Sequence, residues 1–240
     1  MKLSTLPLQK VPGFESTAYA YLDGNLVWAG ESAGTDHPRN AHQPWRPPRM
    51  ACDAQRLVSG ARGCLQLIDA LPPKGLLLWL AGQPLPFPLD HARTRFDAIR
   101  GALERNDLPA FAAATLRVLG LGHGLTPSGD DFVGGIFFAL AHAPRDAWAA
   151  DLLAVRARVR EAARTSTNVI SAALLDDLID GASYACLHDL LAALHDNDRP
   201  AMARATDALL RVGATSGADI LAGLLLALIT APHCPSSSTT

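Results

Sequence analysis

Up to about residue 90 the apolar positions come in short, proline-broken runs; beyond it they recur with a period near 3.6. Ser16–Ala29 alternates on either side of Asp23-Gly24-Asn25, which predicts two strands joined by a hairpin turn. Leu57–Ile68 and Gly75–Leu80 read as further strands, and Ala33–Arg49, rich in Pro, His and Arg, reads as a long loop. The later pattern predicts helices at about 92–106, 108–119, 128–142, 146–164, 167–180, 183–196, 199–211 and 216–230. Asp107, Asp146 and Asp198 are expected N-caps, with Pro109 and Pro200 in first turns. The longest apolar runs, Phe132–Ala143 and Ile220–Pro232, are too short to span a bilayer and read as helices buried on all sides. The expected fold class is α+β. A small β-rich N-terminal domain (1–90) precedes a mainly α-helical C-terminal domain (91–234), and 235–240 is expected to be a disordered tail.

One stretch of the helical part occurs twice. Gly120–Leu140, GLGHGLTPSGDDFVGGIFFAL, is echoed by Gly213–Leu228, GATSGADILAGLLLAL. Aligning Ser128 with Ser216 places Gly129, Asp131, Gly135, Ala139 and Leu140 on Gly217, Asp219, Gly223, Ala227 and Leu228. Each copy reads as a glycine-rich turn, a hydroxyl cap, an acid in the first turn and a very apolar helix. The first amides of a helix lack intrahelical acceptors and the dipole there is positive, so such a start suits an anion. Both copies also fit a capping box, which stabilises a helix by about 1 kcal/mol and needs no ligand.

Three features of the pair favour a shared pocket. Gly120, Gly122, Gly124 and Gly129 crowd one turn, more glycine than a cap requires. Asp130 and Asp131 are adjacent, so one can cap while the other serves as base, metal ligand or acceptor. Gly134-Gly135 lies inside a helix, where each glycine costs about 1 kcal/mol relative to alanine. Close packing of helix 128–142 on helix 216–230 would offset that cost and bring both N-termini together. The candidate catalytic residues are therefore Asp130, Asp131 and Asp219. The candidate ligand contacts are Gly122, Gly124, Thr126, Ser128, Gly129, Thr215, Ser216 and Gly217, with Thr167 and Asn168 from the polar cluster Thr165–Asn168.

Other signals are weaker. Arg117, Arg164 and Arg211 precede the three polar clusters and are read as complementing the ends of the preceding helices. His123 lies within the glycine turn, as a general acid or a tolerated turn residue, and His37 and His42 flank Arg39-Asn40. His188 and His195 read as a surface stripe, and Arg156, Arg158, Arg160 and Arg164 as a solvated face.

Composition narrows the class. The 240 residues are 49% apolar, so the chain is globular. A net charge of −2 gives no reason to expect nucleic-acid or membrane partners. Cys52, Cys64, Cys186 and Cys234 form no CxxC pair, and no apolar secretion signal opens the chain, so reduced thiols in a cytoplasm are expected. HExxH, P-loop and Rossmann motifs do not occur. No cofactor is expected, with Mg²⁺ the one ion suited to the acids.

GLGHGLTPSGDDFVGG, TSTNVISAALL and GATSGADILAGLLLAL resemble, in order and spacing, the motifs of the AllH-like family, long catalogued as a domain of unknown function. That family includes a subunit of bacterial oxamate carbamoyltransferase from anaerobic allantoin degradation. The resemblance covers roughly Gly120–Leu228. The amino-terminal third matches only loosely, with His37-Pro38-Arg39-Asn40 where such proteins tend to have a Gly-Asn-Gly-Pro-like turn. The resemblance implies carbamoyl transfer between oxamate and phosphate, by way of oxalurate and carbamoyl phosphate, with other carbamoyltransferase subunits as partners. Three alternatives stand beside it. Ser128–Gly135 is similar to the phosphate-end motif of ribokinase-type kinases, whose fold needs alternating strands and helices. The chain would otherwise be a non-catalytic metabolite-binding subunit, or a hydrolase holding a hard cation on Asp130, Asp131 and Asp219.

Overall fold

The computed structural model describes residues 7–30, 36–41, 44–47 and 50–232. Strands β1 (Gln9–Lys10), β2 (Tyr19–Leu22) and β3 (Asn25–Trp28) form an antiparallel sheet in chain order. Leu22 pairs with Asn25 across a two-residue turn in which Asp23 (φ 50°) and Gly24 (φ 77°) are left-handed, the geometry that matches strand twist. Among the described residues ten α-helices follow: α1 (Ala54–Ile68), α2 (Leu77–Leu80), α3 (Arg93–Glu104), α4 (Leu108–Leu116), α5 (Ser128–His142), α6 (Leu152–Ser166), α7 (Val169–Ile179), α8 (Ala185–Asp196), α9 (Arg199–Leu210) and α10 (Ser216–Ile229). The fold is α+β, with the small sheet first and a helical body after it. Among the described residues no strand follows β3, so the alternating pattern of a ribokinase-type fold is missing.

Three local expectations are corrected. Leu57–Ile68 is helical, not extended. Asp53 accepts the Arg56 amide at 3.0 Å as N-cap, and Leu57, Ala61, Cys64 and Ile68 then share one buried helical face. Gly75–Leu80 is a left-handed glycine (φ 53°) leading into the short helix α2, whose buried Leu77 and Trp79 join the core with Leu76. Asp146 caps no α-helix. It sits in a 3₁₀ turn, Asp146–Trp148, and α6 begins at Leu152. The expected tail at 235–240 lies outside the described residues.

The helical body contains a repeat wider than the serine motif. α3–α4–α5 corresponds to α8–α9–α10. The turn before α4 and the turn before α9 both carry a left-handed asparagine, Asn106 and Asn197, each at φ 54°. Each is followed by an aspartate N-cap: Asp107 accepts the Ala110 amide at 2.9 Å and Asp198 the Ala201 amide at 3.0 Å. Replacing either aspartate with alanine is expected to lower unfolding free energy by about 1 kcal/mol in urea titrations.

The repeats meet along α5 and α10. Both are buried over nearly their whole length. A Cβ on Gly135 would stand 2.1 Å from the Ile220 carbonyl oxygen, and one on Gly223 would stand 2.0 Å from that of Phe132. These contacts are equivalent when the repeats are superposed in sequence, so an approximate two-fold relates the helices. Phe132 packs edge-on against Trp79 and Phe96, which are tilted to each other, with ring centroids 5.3–5.9 Å apart. The sheet joins the body through a smaller cluster of Val11, Tyr19, Leu26, Ile170 and Leu174. Arg39 ties the following loop to α7, donating to Asp177 Oδ1 at 2.7 Å and to the Ala173 carbonyl at 3.0 Å. None of the described helices is long and apolar enough to cross a membrane.

Candidate functional site

The starts of α5 and α10 lie side by side. The Thr126 and Ser216 hydroxyls, one from each repeat, are hydrogen-bonded at 2.7 Å. The acids cross over: the Ser216 and Thr126 hydroxyls lie beside Asp131, and the Ser128 and Thr215 hydroxyls lie beside Asp219. The hydroxyls therefore serve the acids rather than capping their own helices. Pro127 and Thr215 are the N-caps, and neither makes a side-chain cap bond. Proline's fixed φ sets the chain for a first turn at Ser128, which places the serine inside the helix.

Fewer amides are open at these starts than an isolated helix would offer. The Gly129 amide donates to the Leu121 carbonyl at 2.8 Å, and the Gly217 amide to that of Val212 at 3.0 Å. Each glycine also lets the end of the preceding segment close in: a Cβ on Gly129 would stand 1.9 Å from Val118 O, and one on Gly217 1.8 Å from Leu209 O. Gly122 (φ 121°) likewise wraps the turn against Ser128, whose amide nitrogen lies 2.7 Å from where its Cβ would be.

The two adjacent acids have different surroundings. Asp130 accepts the Gly120 amide and the Ser171 hydroxyl, both at 2.7 Å, with the Thr167 hydroxyl beside it but beyond a well-formed hydrogen bond. Asn168 caps α7, accepting the Ile170 and Ser171 amides at 3.0 Å and donating to the Leu125 carbonyl at 2.8 Å. Asp130, Thr167 and Asn168 thus bind the glycine turn to the start of α7. Asp131 and Asp219 are buried, and one oxygen of each, Oδ2, has no partner. Asp219 Oδ1 accepts the Leu76 amide at 2.6 Å from the loop ahead of α2.

Burial, then the neighbouring Asp219 charge, pushes Asp131 well above the usual carboxylate range. Burial raises Asp219 to about 6, against the opposing effect of the Leu76 amide and the nearby hydroxyls. Burial raises Asp130 too, with its hydrogen bonds opposing. Asp219 therefore holds its proton only below about pH 6, and burial favours the protonated form of Asp131. Among the described residues no group of three or more His, Cys, Asp and Glu is placed to hold a metal ion.

In front of the paired starts lies a cavity of about 460 Å³. That is within the range of small-molecule sites, roughly 300–1,000 Å³. Gly124, Thr126, Thr215 and Ser216 line it from the repeats, and His123 and Arg211 lie at the same wall. Residues that local sequence patterns did not single out also line it: Tyr19 and Trp28 from the sheet, and Tyr184 from the turn before α8. His37, from the loop after the sheet, completes it. Burial raises Tyr19 to about 12 and also pushes Tyr184 well above the ordinary phenol range, so both hydroxyls keep their protons. Burial and the Arg39 charge lower His37 to about 3, so its ring is neutral. The His37 Nδ1 accepts the Arg39 amide at 3.1 Å, which leaves the ring proton on Nε2.

The remaining signals fall elsewhere. Arg164 pairs with Glu161 on the surface, and the Arg117 carbonyl accepts from Arg95 at 3.2 Å. His188 is buried against Trp45, Phe138 and His142, so the surface stripe expected for it with His195 is corrected. Arg160 pairs with Asp176 and Asp180 of α7 and its end, so that face is partly used for packing. His42 lies outside the described residues.

Residues 118–228 match the family model of oxamate carbamoyltransferase subunit AllH. The resemblance carried by the glycine, serine and aspartate motifs is thus a family match over that span. It contains both helix starts, α6 and α7 and all of α8 and α9, and excludes the sheet and α1–α4. No curated protein and no solved structure matches the chain.

Proposed function

We propose that this chain is a component of an oxamate carbamoyltransferase-like enzyme and binds a small carbamoyl-bearing anion in the cavity at the paired helix starts. The observation that carries this reading is the Thr126–Ser216 contact with Asp131 and Asp219 behind it. Two repeats join there into one polar floor, within the span of the family match.

The chemistry fits oxamate, oxalurate and carbamoyl phosphate. Each combines an anionic end with an –NH₂ or –NH– donor. The hydroxyls of Thr126, Thr215 and Ser216, the turn at Gly124 and the Arg211 guanidinium receive the anionic oxygens. Asp131 and Asp219 are buried behind this floor, outside the residues that line the cavity, and orient its hydroxyls: Thr126 and Ser216 beside Asp131, Thr215 beside Asp219. In the transfer, a phosphate oxygen attacks the carbamoyl carbon of oxalurate. The bond from that carbon to the oxamate nitrogen breaks, and the nitrogen takes a proton, giving carbamoyl phosphate and oxamate. Preorganised donors stabilise the oxyanion that develops during attack, and the nitrogen takes its proton through the floor hydroxyls that Asp131 and Asp219 back. Asp130, with Gly122, Gly129, Thr167, Asn168 and Gly217, keeps the two starts in register. The reading calls for no metal, and the other carbamoyltransferase subunits complete the active site.

A thermal-shift screen with oxamate, oxalurate, carbamoyl phosphate, phosphate and nucleotides, each with and without Mg²⁺, tests it. Stabilisation by a carbamoyl compound or oxamate without Mg²⁺ is expected. A shift with ATP and Mg²⁺ alone would transfer the site to a kinase, and no shift with any carbamoyl compound or oxamate would contradict the reading.

A further inference from the structure

The two repeats have equivalent outer grooves of opposite charge. Between α3 and α4 lies a cavity of about 480 Å³ whose exposed rim carries Arg95, Arg105 and Arg117. Between α8 and α9 lies one of about 490 Å³ whose exposed rim carries Asp189, Asp196, which lies 3.8 Å from Arg56, and Asp198, the N-cap of α9. The same positions build both. With Asn106 aligned on Asn197, Gly101 falls on Ala192, Ala110 on Ala201, and Arg105 on Asp196. Each groove holds one charge of the minority sign. Asp97 in the first accepts the Trp79 indole N–H at 2.9 Å, and Arg204 lies in the second.

The floors are alanine and glycine, which let helix hairpins approach closely, and the rims are charged. The floors favour contact and the rims choose the partner. An approximate two-fold within one chain places the grooves on opposite flanks, so they cannot meet inside the molecule. We propose that the basic α3/α4 groove of one copy packs on the acidic α8/α9 groove of a second copy, so that the chain self-associates head to tail. The occupant is a second copy because the two surfaces match in size and small-residue floor and oppose in sign. Such a contact is heterologous and extends from copy to copy until a ring closes or a filament forms. It does not depend on the ligand assigned to the cavity.

The test is light scattering of the purified full chain across concentration and salt. Wild type is expected to exceed the mass of one chain at low salt and to fall toward it as salt screens the rims. Arg105→Glu and Asp189→Arg, both on exposed side chains, are each expected to weaken self-association by about ten-fold or more, with the helical circular dichroism unchanged. Each variant keeps one intact groove of opposite sign, so mixing the two restores a dimer and nothing larger. A wild type of single-chain mass at every concentration overturns the proposal. So does an oligomer unmoved by either variant, or association seen only when a different carbamoyltransferase subunit is added.

Discussion

Gly135→Ala and Gly223→Ala will each lower the urea midpoint sharply, by the equivalent of about 3 kcal/mol or more, at and beyond the upper end of ordinary overpacking. At Gly135 the added carbon would lie 2.1 Å from one backbone oxygen of α10, and at Gly223 2.0 Å from one of α5. A side chain in the way can rotate; a carbonyl in a buried helix cannot. The helices must separate along their crossing, and the hydroxyls and acids at their starts must separate with them. Ligand-induced stabilisation should therefore disappear along with the lost stability. Gly63→Ala in α1 is the contrast. Its nearest neighbour would be 3.7 Å away, so the substitution should be neutral or gain up to about 1 kcal/mol from helix propensity. Midpoints for Gly135→Ala and Gly223→Ala equal to wild type would remove the close crossing from the account.

Asp219→Asn will make the protein more stable above neutral pH and leave it unchanged near pH 4. The sign follows from a carboxyl whose folded value, about 6, lies above its ordinary 3.8. Between those values the native state holds more protons than the unfolded state, so stability falls as pH rises. The contribution is fully present below about pH 4 and is lost as pH passes through about 6. Asparagine removes the buried charge and can still accept the Leu76 amide. The expected gain at pH 8 is on the order of 3 kcal/mol, read from urea titrations at pH 4 and pH 8. Asp131, which burial and Asp219 push in the same direction, adds a slope of the same sign. The same variant should lose ligand affinity through the floor, because Asp219 lies beside the Thr215 hydroxyl that lines the cavity. Equal stability of variant and wild type at pH 8 would contradict the raised Asp219.

The helix starts at Ser128 and Ser216 were legible because turns and helices declare themselves locally. Glycines at left-handed angles before each start, Pro127 ahead of the first, and an unbroken apolar run after both leave few alternatives. The glycines at 135 and 223 were legible for the opposite reason: they are costly in a helix and so signal a close neighbour. The larger repeat was also visible, in Asn-Asp-x-Pro at 106–109 and again at 197–200, but it lies outside the serine motif that drew attention to the echo. α1 was misread because Val58, Leu65 and Leu67 add apolar positions beyond its buried face and blur the helical period. The aromatic wall of the cavity could not be read at all. Tyr19, Trp28 and Tyr184 are ordinary strand and turn residues until Arg39 and the cluster around Ile170 seat the sheet on α7. The crossing of acids and hydroxyls between repeats was missed for the same reason, since each pair looks like a local cap in sequence.

The central claim is that two repeats make one binding floor. Titration calorimetry with oxamate and carbamoyl phosphate on wild type, Thr126→Val and Ser216→Ala tests it most directly. One ligand per chain is expected, with affinity falling about ten-fold or more when either repeat loses its hydroxyl. Two independent sites per chain, or undiminished affinity in both variants with the fold intact, would contradict the account.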